Sequence, residues 1–176
     1  MRRGLWRYSG RLFRTVPLAF QDAVLRPPAS GNAGRYTRAG ERLLYTSPER
    51  DWSVMAVAGY MREDGVARVV VPLQVDGAWL LDLRDPIACC AVGIDPEWSR
   101  ASWRQALSAG AAPASWAIAD AARAAGADGL VDPSRSIPGG WHVNLFHWNI
   151  PSAPQIQIVG APETVVLSMD GPKWGL

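Results

Sequence analysis

At 176 residues, with apolar types at 48% and charged types at 19%, the chain has the balance of one globular domain able to bury roughly 70% of its unfolded surface, which excludes disorder. A formal charge of +2, from 18 basic and 16 acidic residues scattered along the sequence, disfavours a surface that tracks nucleic acid. No stretch approaches membrane-spanning length, the arginine-rich start lacks the apolar core of a secretory signal, and two adjacent cysteines without a third fit a reducing, cytoplasmic setting.

Leu5–Tyr8 alternates apolar and polar side chains and reads as a first strand. Residues 9–42 read mostly as loop, broken by Pro27-Pro28 and Gly31-Asn32, with Leu18–Leu25 long enough for only two helical turns. A short apolar strand, Leu43–Thr46, carries Tyr45. The triplet Ser47-Pro48-Glu49 predicts a helix start, with a hydroxyl cap, a proline and an acid in order, and a helix to about Met61. Trp52, Met55, Ala56 and Gly59 share one face of that helix, with small residues that would admit another backbone.

Val66–Val75 and Ala78–Leu83 predict two strands joined by a two-residue hairpin at Asp76-Gly77, with Pro72 marking an edge or a bulge. Asp95-Pro96 caps a helix to about Ser108, and Pro113–Ala125 is an alanine-rich helix closed by Gly126. Trp98, Trp103 and Trp116, on these helices, are expected to face the core. Gly129–Val131 reads as a strand, Asp132–Ser136 as a polar turn, Val143–Trp148 as a strand, and 151–160 and 163–169 as two more β segments. The sum argues the α+β class: a single domain over residues 1–176, mixed or antiparallel sheets folded around a cleft, and flanking helices.

Several chemistries drop out. His142 and His147 lie five apart on a predicted strand, which puts them on opposite faces and disfavours a shared metal. Cys89 and Cys90 cannot form an ordinary bridge with each other and read as small hydrophobes. The sequence holds no Gly-x-Ser-x-Gly elbow, no phosphate loop and no dinucleotide fingerprint after a strand. What remains is a glycine-punctuated turn that delivers Arg35, ten positions ahead of Tyr45. An arginine fork clamps phosphate oxygens while a tyrosine ring offers a flat face to a heterocycle, so the pair suits a phosphate ester.

The string Gly34-Arg35-Tyr36-Thr37-Arg38-Ala39-Gly40-Glu41-Arg42-Leu43-Leu44-Tyr45-Thr46-Ser47, then Leu81-Asp82-Leu83, Gly126 to Arg135 and Asn144-Leu145-Phe146, resembles the RES-domain family over residues 5–148. The remainder, 149–176, reads as a β extension and tail in which Trp174 is a candidate docking anchor. The resemblance implies a fold related to ADP-ribosyltransferases and a toxin that consumes NAD, by hydrolysis or by ADP-ribose transfer, without a metal. It also implies an Xre-type antitoxin as partner. Carried over, Arg35 holds the NAD pyrophosphate, Tyr45 packs on the nicotinamide end and Ser134 lines the pocket from the opposite loop; Ser47 and Asn144 are further lining candidates.

One position departs from the family. Its glutamate aligns with Ala56, and no acid lies between Asp51 and Glu63. A carboxylate there would stabilise an oxocarbenium-like ribose, and losing such a group costs about a hundred- to a thousandfold in rate. A natural pseudoenzyme, a replacement acid such as Glu49 or Asp51, and a Glu-to-Ala change that permits production of a toxic protein all account for it; the last is the working expectation. The rival from another class is a non-catalytic protein that binds a nucleotide or a partner in the same cleft.

Overall fold

The computed structural model describes residues 3–26 and 33–166. The breaks at Pro27-Pro28 and Gly31-Asn32, the end of the 163–169 segment and Trp174 lie outside the described residues. In chain order the elements are β1 (Leu5–Pro17), β2 (Leu44–Thr46), α1 (Arg50–Asp64), β3 (Arg68–Asp82), α2 (Pro86–Ala91), α3 (Trp103–Ser108), α4 (Ala114–Ala124), β4 (Gly129–Pro133), β5 (Trp141–Leu145), β6 (Gln155–Ile158) and β7 (Glu163–Thr164). Short 3-10 turns cover Leu18–Ala23 and Pro96–Ser99.

β3 organises the sheet, and its β-branched, nearly continuous apolar run is buried on both faces. β1 pairs antiparallel along one edge of it, from Leu5 opposite Leu81 to Pro17 opposite Arg68. Three short strands share the other edge: β7 at Val69–Val70, β6 at Leu73–Asp76 and β4, parallel, at Leu80–Asp82. The path runs β1-β3-β4-β5-β2, and the sheet curls until Ser47, just past β2, exchanges backbone hydrogen bonds of 2.7 and 2.9 Å with Phe13 of β1.

Side-chain alternation then makes two cores. On one face Leu12, Val16, Leu44, Val71, Leu73, Val143 and Leu145 pack with Trp148. On the other, Leu43, Leu81, Leu130 and Phe146 pack under Ile118, Ala119 and Ala122 of α4. α1 sits on this second face as well, where its Ser53 hydroxyl meets that of Thr15 at 2.7 Å.

Several local expectations are corrected. β1 is 13 residues long rather than four, because pairing with β3 overrides the weak pattern after Tyr8. Asp76-Gly77 makes no hairpin; β3 continues through it, Gly77 takes φ +76° and its N–H donates to Ser9 Oγ at 2.9 Å, opposite a bulge in β1. Pro72 stands in a central strand, in the gap between the stretches paired by β6 and β7. Glu49, not Ser47, is the N-cap of α1, since Ser47 is engaged with Phe13. α1 buries Ser53 and Met61, whereas Ala56 and Gly59 are exposed and, among the described residues, no other backbone approaches Gly59. The helix expected from Asp95 to Ser108 divides into a 3-10 turn and α3, which takes its own cap from Ser102. The short helix α2, capped by Asp85, is an addition to the expected elements. The three tryptophans do not enter the core: Trp98 is 37% exposed, and Trp103 and Trp116 are half-buried.

Candidate functional site

Three strands change character along the second face. Leu43, Tyr45 and Ser47 follow one another on β2 and its flanks, Phe146, Asn144 and His142 on β5 and the residue after it, and Leu130 and Asp132 on β4. The apolar end of each row lies under α4; the polar end continues the same face beyond α4 and is the candidate cleft. Sequence reasoning names Tyr45, Ser47 and Asn144 singly, and the register shows them sharing this polar end.

Arg35 is delivered to the cleft by a turn that α4 pins from both sides. Gly34 N–H bonds the Thr37 carbonyl at 2.8 Å, Trp116 Nε1 donates to the Gly34 carbonyl at 2.9 Å, and the Ser115 hydroxyl donates to the Arg35 carbonyl. Tyr36, 1% exposed, turns inward and donates to Asp132 Oδ1 at 2.6 Å. Fixed in this way, the half-buried Arg35 side chain reaches the Ser99 carbonyl at 2.8 Å and the Ala101 carbonyl at 3.4 Å. Burial lowers its pKa, and so does the neighbouring Arg135; Tyr36, Asp132 and Tyr45 offset part of that.

Tyr45 leaves 39% of its surface exposed, yet its phenol oxygen is tucked in so closely that a Cβ on Gly34 would lie 2.7 Å away. Burial of that end raises the phenol pKa, while Thr37 and Arg35 pull it back and Tyr60 and Asp132 push it up. Arg35 and Tyr45 are therefore electrostatic neighbours. Ser134 follows β4, its N–H bonded to the Gly140 carbonyl at 2.8 Å, and it immediately precedes Arg135. Ser47 Oγ lies 2.8 Å from His142 Nδ1. Asn144, 2% exposed, has an Oδ1 with no donor among the described residues.

Ala56 is exposed on a stripe of α1 that runs Trp52, Ala56, Tyr60, one helical turn apart each time. Tyr60 is an electrostatic neighbour of Tyr45, so that end of the stripe approaches the site, while at the other end Trp52 meets the Trp141 ring edge-on at 6.5 Å. Neither proposed replacement acid shares the stripe: Glu49 precedes the helix, and Asp51 is 79% exposed and paired with Arg50 at 2.9 Å.

Four residues that sequence reasoning misses, Tyr36, Asp132, Arg135 and His142, complete the arrangement. Asp132, 4% exposed, accepts from Tyr36 and from Arg135 at 3.0 Å. Burial, helped by Asp132, holds the Tyr36 phenol well above its ordinary range. Burial of His142 lowers its pKa; Asp132 works against that and Arg135 adds to it. The available signal is the alternation Leu130, Asp132, Ser134, which places an acid on the cleft face. The other histidine is held elsewhere, with Nε2 at 2.6 Å from Asp128. Among the described residues no group of three or more His, Cys, Asp or Glu is placed to hold a metal ion. Cys89 is buried, which pushes its thiol up to about 11, with Asp82, Asp85 and Asp95 adding to the effect.

A hollow of about 550 Å³ lies at the start of β1 beside α2. Its charged groups satisfy one another: Asp82 pairs with Arg84 at 2.6 Å, and Asp85 caps the Ile87 and Ala88 amides. The Arg35 site differs from it in holding a guanidinium whose acceptors among the described residues are only carbonyls, those of Ser99 and Ala101.

The family described as RES domain matches residues 5–168. The chain belongs to the RES-domain family. The matched RES domain reaches past the 5–148 core legible in the sequence and takes in β6 and β7. A solved structure, the MbcT-MbcA toxin-antitoxin complex of M. tuberculosis, shares the fold of this RES domain at TM-score 0.61 and 16% identity, over 93% of this chain and 87% of that one. A comparison with curated proteins finds no match. No helix among the described residues is long and apolar enough to cross a membrane.

Proposed function

We propose that this RES-domain chain is the toxin component of a toxin-antitoxin pair, that it binds NAD in the Arg35 cleft, and that an Xre-type protein neutralises it. The observation that carries the reading is Arg35: half-buried, backed by Tyr36 and α4, beside Tyr45, and bonded among the described residues only to carbonyls. A diphosphate is the ligand that answers such a charge, because charge-assisted bonds to guanidinium are about twice as strong as neutral ones. The family membership and the likeness to one partner of a toxin-antitoxin complex support the biological role.

In this reading Arg35 anchors the diphosphate, the exposed ring of Tyr45 faces the nicotinamide, and Ser134 closes the pocket from beyond β4. Departure of nicotinamide leaves positive charge on the ribose, and the stripe of α1 is where an acid would meet it. Ala56 supplies none. The chain as it stands accordingly fits a second reading, a nucleotide binder with little turnover, and the two divide on a single substitution. Nicotinamide release by Ala56→Glu, measured beside the unaltered chain and an Ala56→Glu/Arg35→Ala control, is the test. Release that appears with the glutamate and disappears with Arg35 supports the enzyme; release that ignores Arg35 rejects the pocket. If the glutamate brings no release while NAD still raises the melting temperature, the binder stands instead.

A further inference from the structure

Two like charges meet on one oxygen in the cleft. Arg35 Nη1 donates to the Ser99 carbonyl at 2.8 Å, and Arg135 Nη2 donates to the same carbonyl at 2.5 Å. Asp132 balances Arg135, to which it bonds at 3.0 and 3.2 Å, but it makes no hydrogen bond to Arg35. The trio of Arg35, Arg135 and Asp132 thus carries one surplus positive charge, and the oxygen at its focus belongs to a neutral peptide. A phosphate oxygen at that point would bring the missing charge and accept from both forks.

The segment that supplies the carbonyl packs against α4 and buries Ser99, but its backbone hydrogen bonds are local. Trp98 N–H bonds the Asp95 carbonyl at 3.1 Å, Arg100 N–H the Glu97 carbonyl at 2.9 Å, and Asp95 caps the Glu97 amide at 2.9 Å. It is a single 3-10 turn between two capped starts, Asp95 and Ser102. Such turns have poorer hydrogen-bond geometry than an α-helix and belong to the less stable parts of a fold.

We propose that Arg135 is the second half of a diphosphate clamp with Arg35, and that the Ser99 carbonyl holds the place a phosphate oxygen takes, so that ligand entry lifts residues 96–101 out of the cleft. This rests on the reading of Arg35 as the anion anchor and adds a partner and a moving part to it. Arg35 is half-buried and the Arg135 side chain is 35% exposed, so a charged acceptor in place of a neutral one gains more there than in bulk water.

The test titrates the chain with ADP-ribose by calorimetry, with adenosine as the phosphate-free control, and follows amide exchange of residues 96–101 by mass spectrometry. Arg135→Met weakens ADP-ribose binding about tenfold to a hundredfold and leaves adenosine unchanged. Arg135→Lys keeps a charge beside Asp132, protects the fold, and weakens binding by a smaller factor because the fork is lost; it decides the matter if the methionine variant does not fold. Exchange at Trp98 and Arg100 speeds up on ADP-ribose binding. Full affinity in a folded Arg135 variant, while Arg35→Met binds nothing, overturns the clamp and leaves Arg35 in its role. Unchanged or slower exchange across 96–101 overturns the displacement. An unaltered chain that ignores ADP-ribose removes the clamp together with the reading beneath it.

Discussion

The two walls of the cleft are built to different standards. On the α4 side the polar groups are engaged one with another. Trp116 and Ser115 fix the turn, Tyr36 and Arg135 hold Asp132, and two guanidiniums point at one oxygen. On the α1 side a stripe of Trp52, Ala56 and Tyr60, whose Tyr60 end neighbours Tyr45, has no charge at its centre. In the proposed reading, recognition and chemistry are thus separable. A site can keep its grip on a ligand after losing the group that acts on it, because the two depend on different walls.

Substitutions sharpen that contrast. Ala56→Glu has the largest expected effect, about a hundred- to a thousandfold more nicotinamide release, with ADP-ribose affinity nearly unchanged; Arg35→Ala removes the affinity and, in the Ala56→Glu background, the release with it, and calorimetry beside a release assay separates the two. An Ala56→Glu protein whose affinity moves as much as its rate would erase the distinction. Next comes Asp132→Asn, which strips a buried acceptor from Tyr36 and Arg135 and costs about 1–3 kcal/mol in urea denaturation.

A weaker effect concerns pH. Burial holds the pKa of His142 below its ordinary value of 6.5, so in acid the unfolded chain binds a proton that the folded chain refuses. Stability contributed by neutral His142 is present above about pH 6.5 and is lost as pH falls below it. The melting temperature therefore drops between about pH 7 and 5, and His142→Gln flattens that part of the profile. Smallest is Gly34→Ala. Its Cβ would stand 2.7 Å from Tyr45 Oη and 2.9 Å from Thr37 Oγ1, both ends of movable side chains. The cost to stability is at most about 1 kcal/mol, and the displaced ring is read as a change in the fluorescence or chemical shifts of Tyr45.

The helices and short strands that local signals specify are legible in the sequence: Gly126 closing α4, Asp95 and Pro96 opening a turn, Tyr45 on a brief strand. What pairing decides is not. The length of β1 and the continuity of β3 through Asp76-Gly77 depend on each other, and neither segment announces the partner that makes an extended strand out of a turn signal. The site follows the same rule. Residue types and order single out Arg35, Tyr45, Ser47 and Asn144, while Asp132 and His142 become visible only when the register sets them on one face. Ala56 is recognisable as an odd residue, but the exposed stripe that gives its position meaning requires the helix phase.

Ser47 touches β1 through Phe13 and the cleft through His142, so the amino-terminal strand is a structural support of the pocket although it contributes no side chain to the cleft floor. Trimming the chain ahead of Arg14 would remove the hydrogen bonds that seat Ser47. Proteins shortened at that end would lose the pocket's shape while keeping every residue assigned to ligand contact.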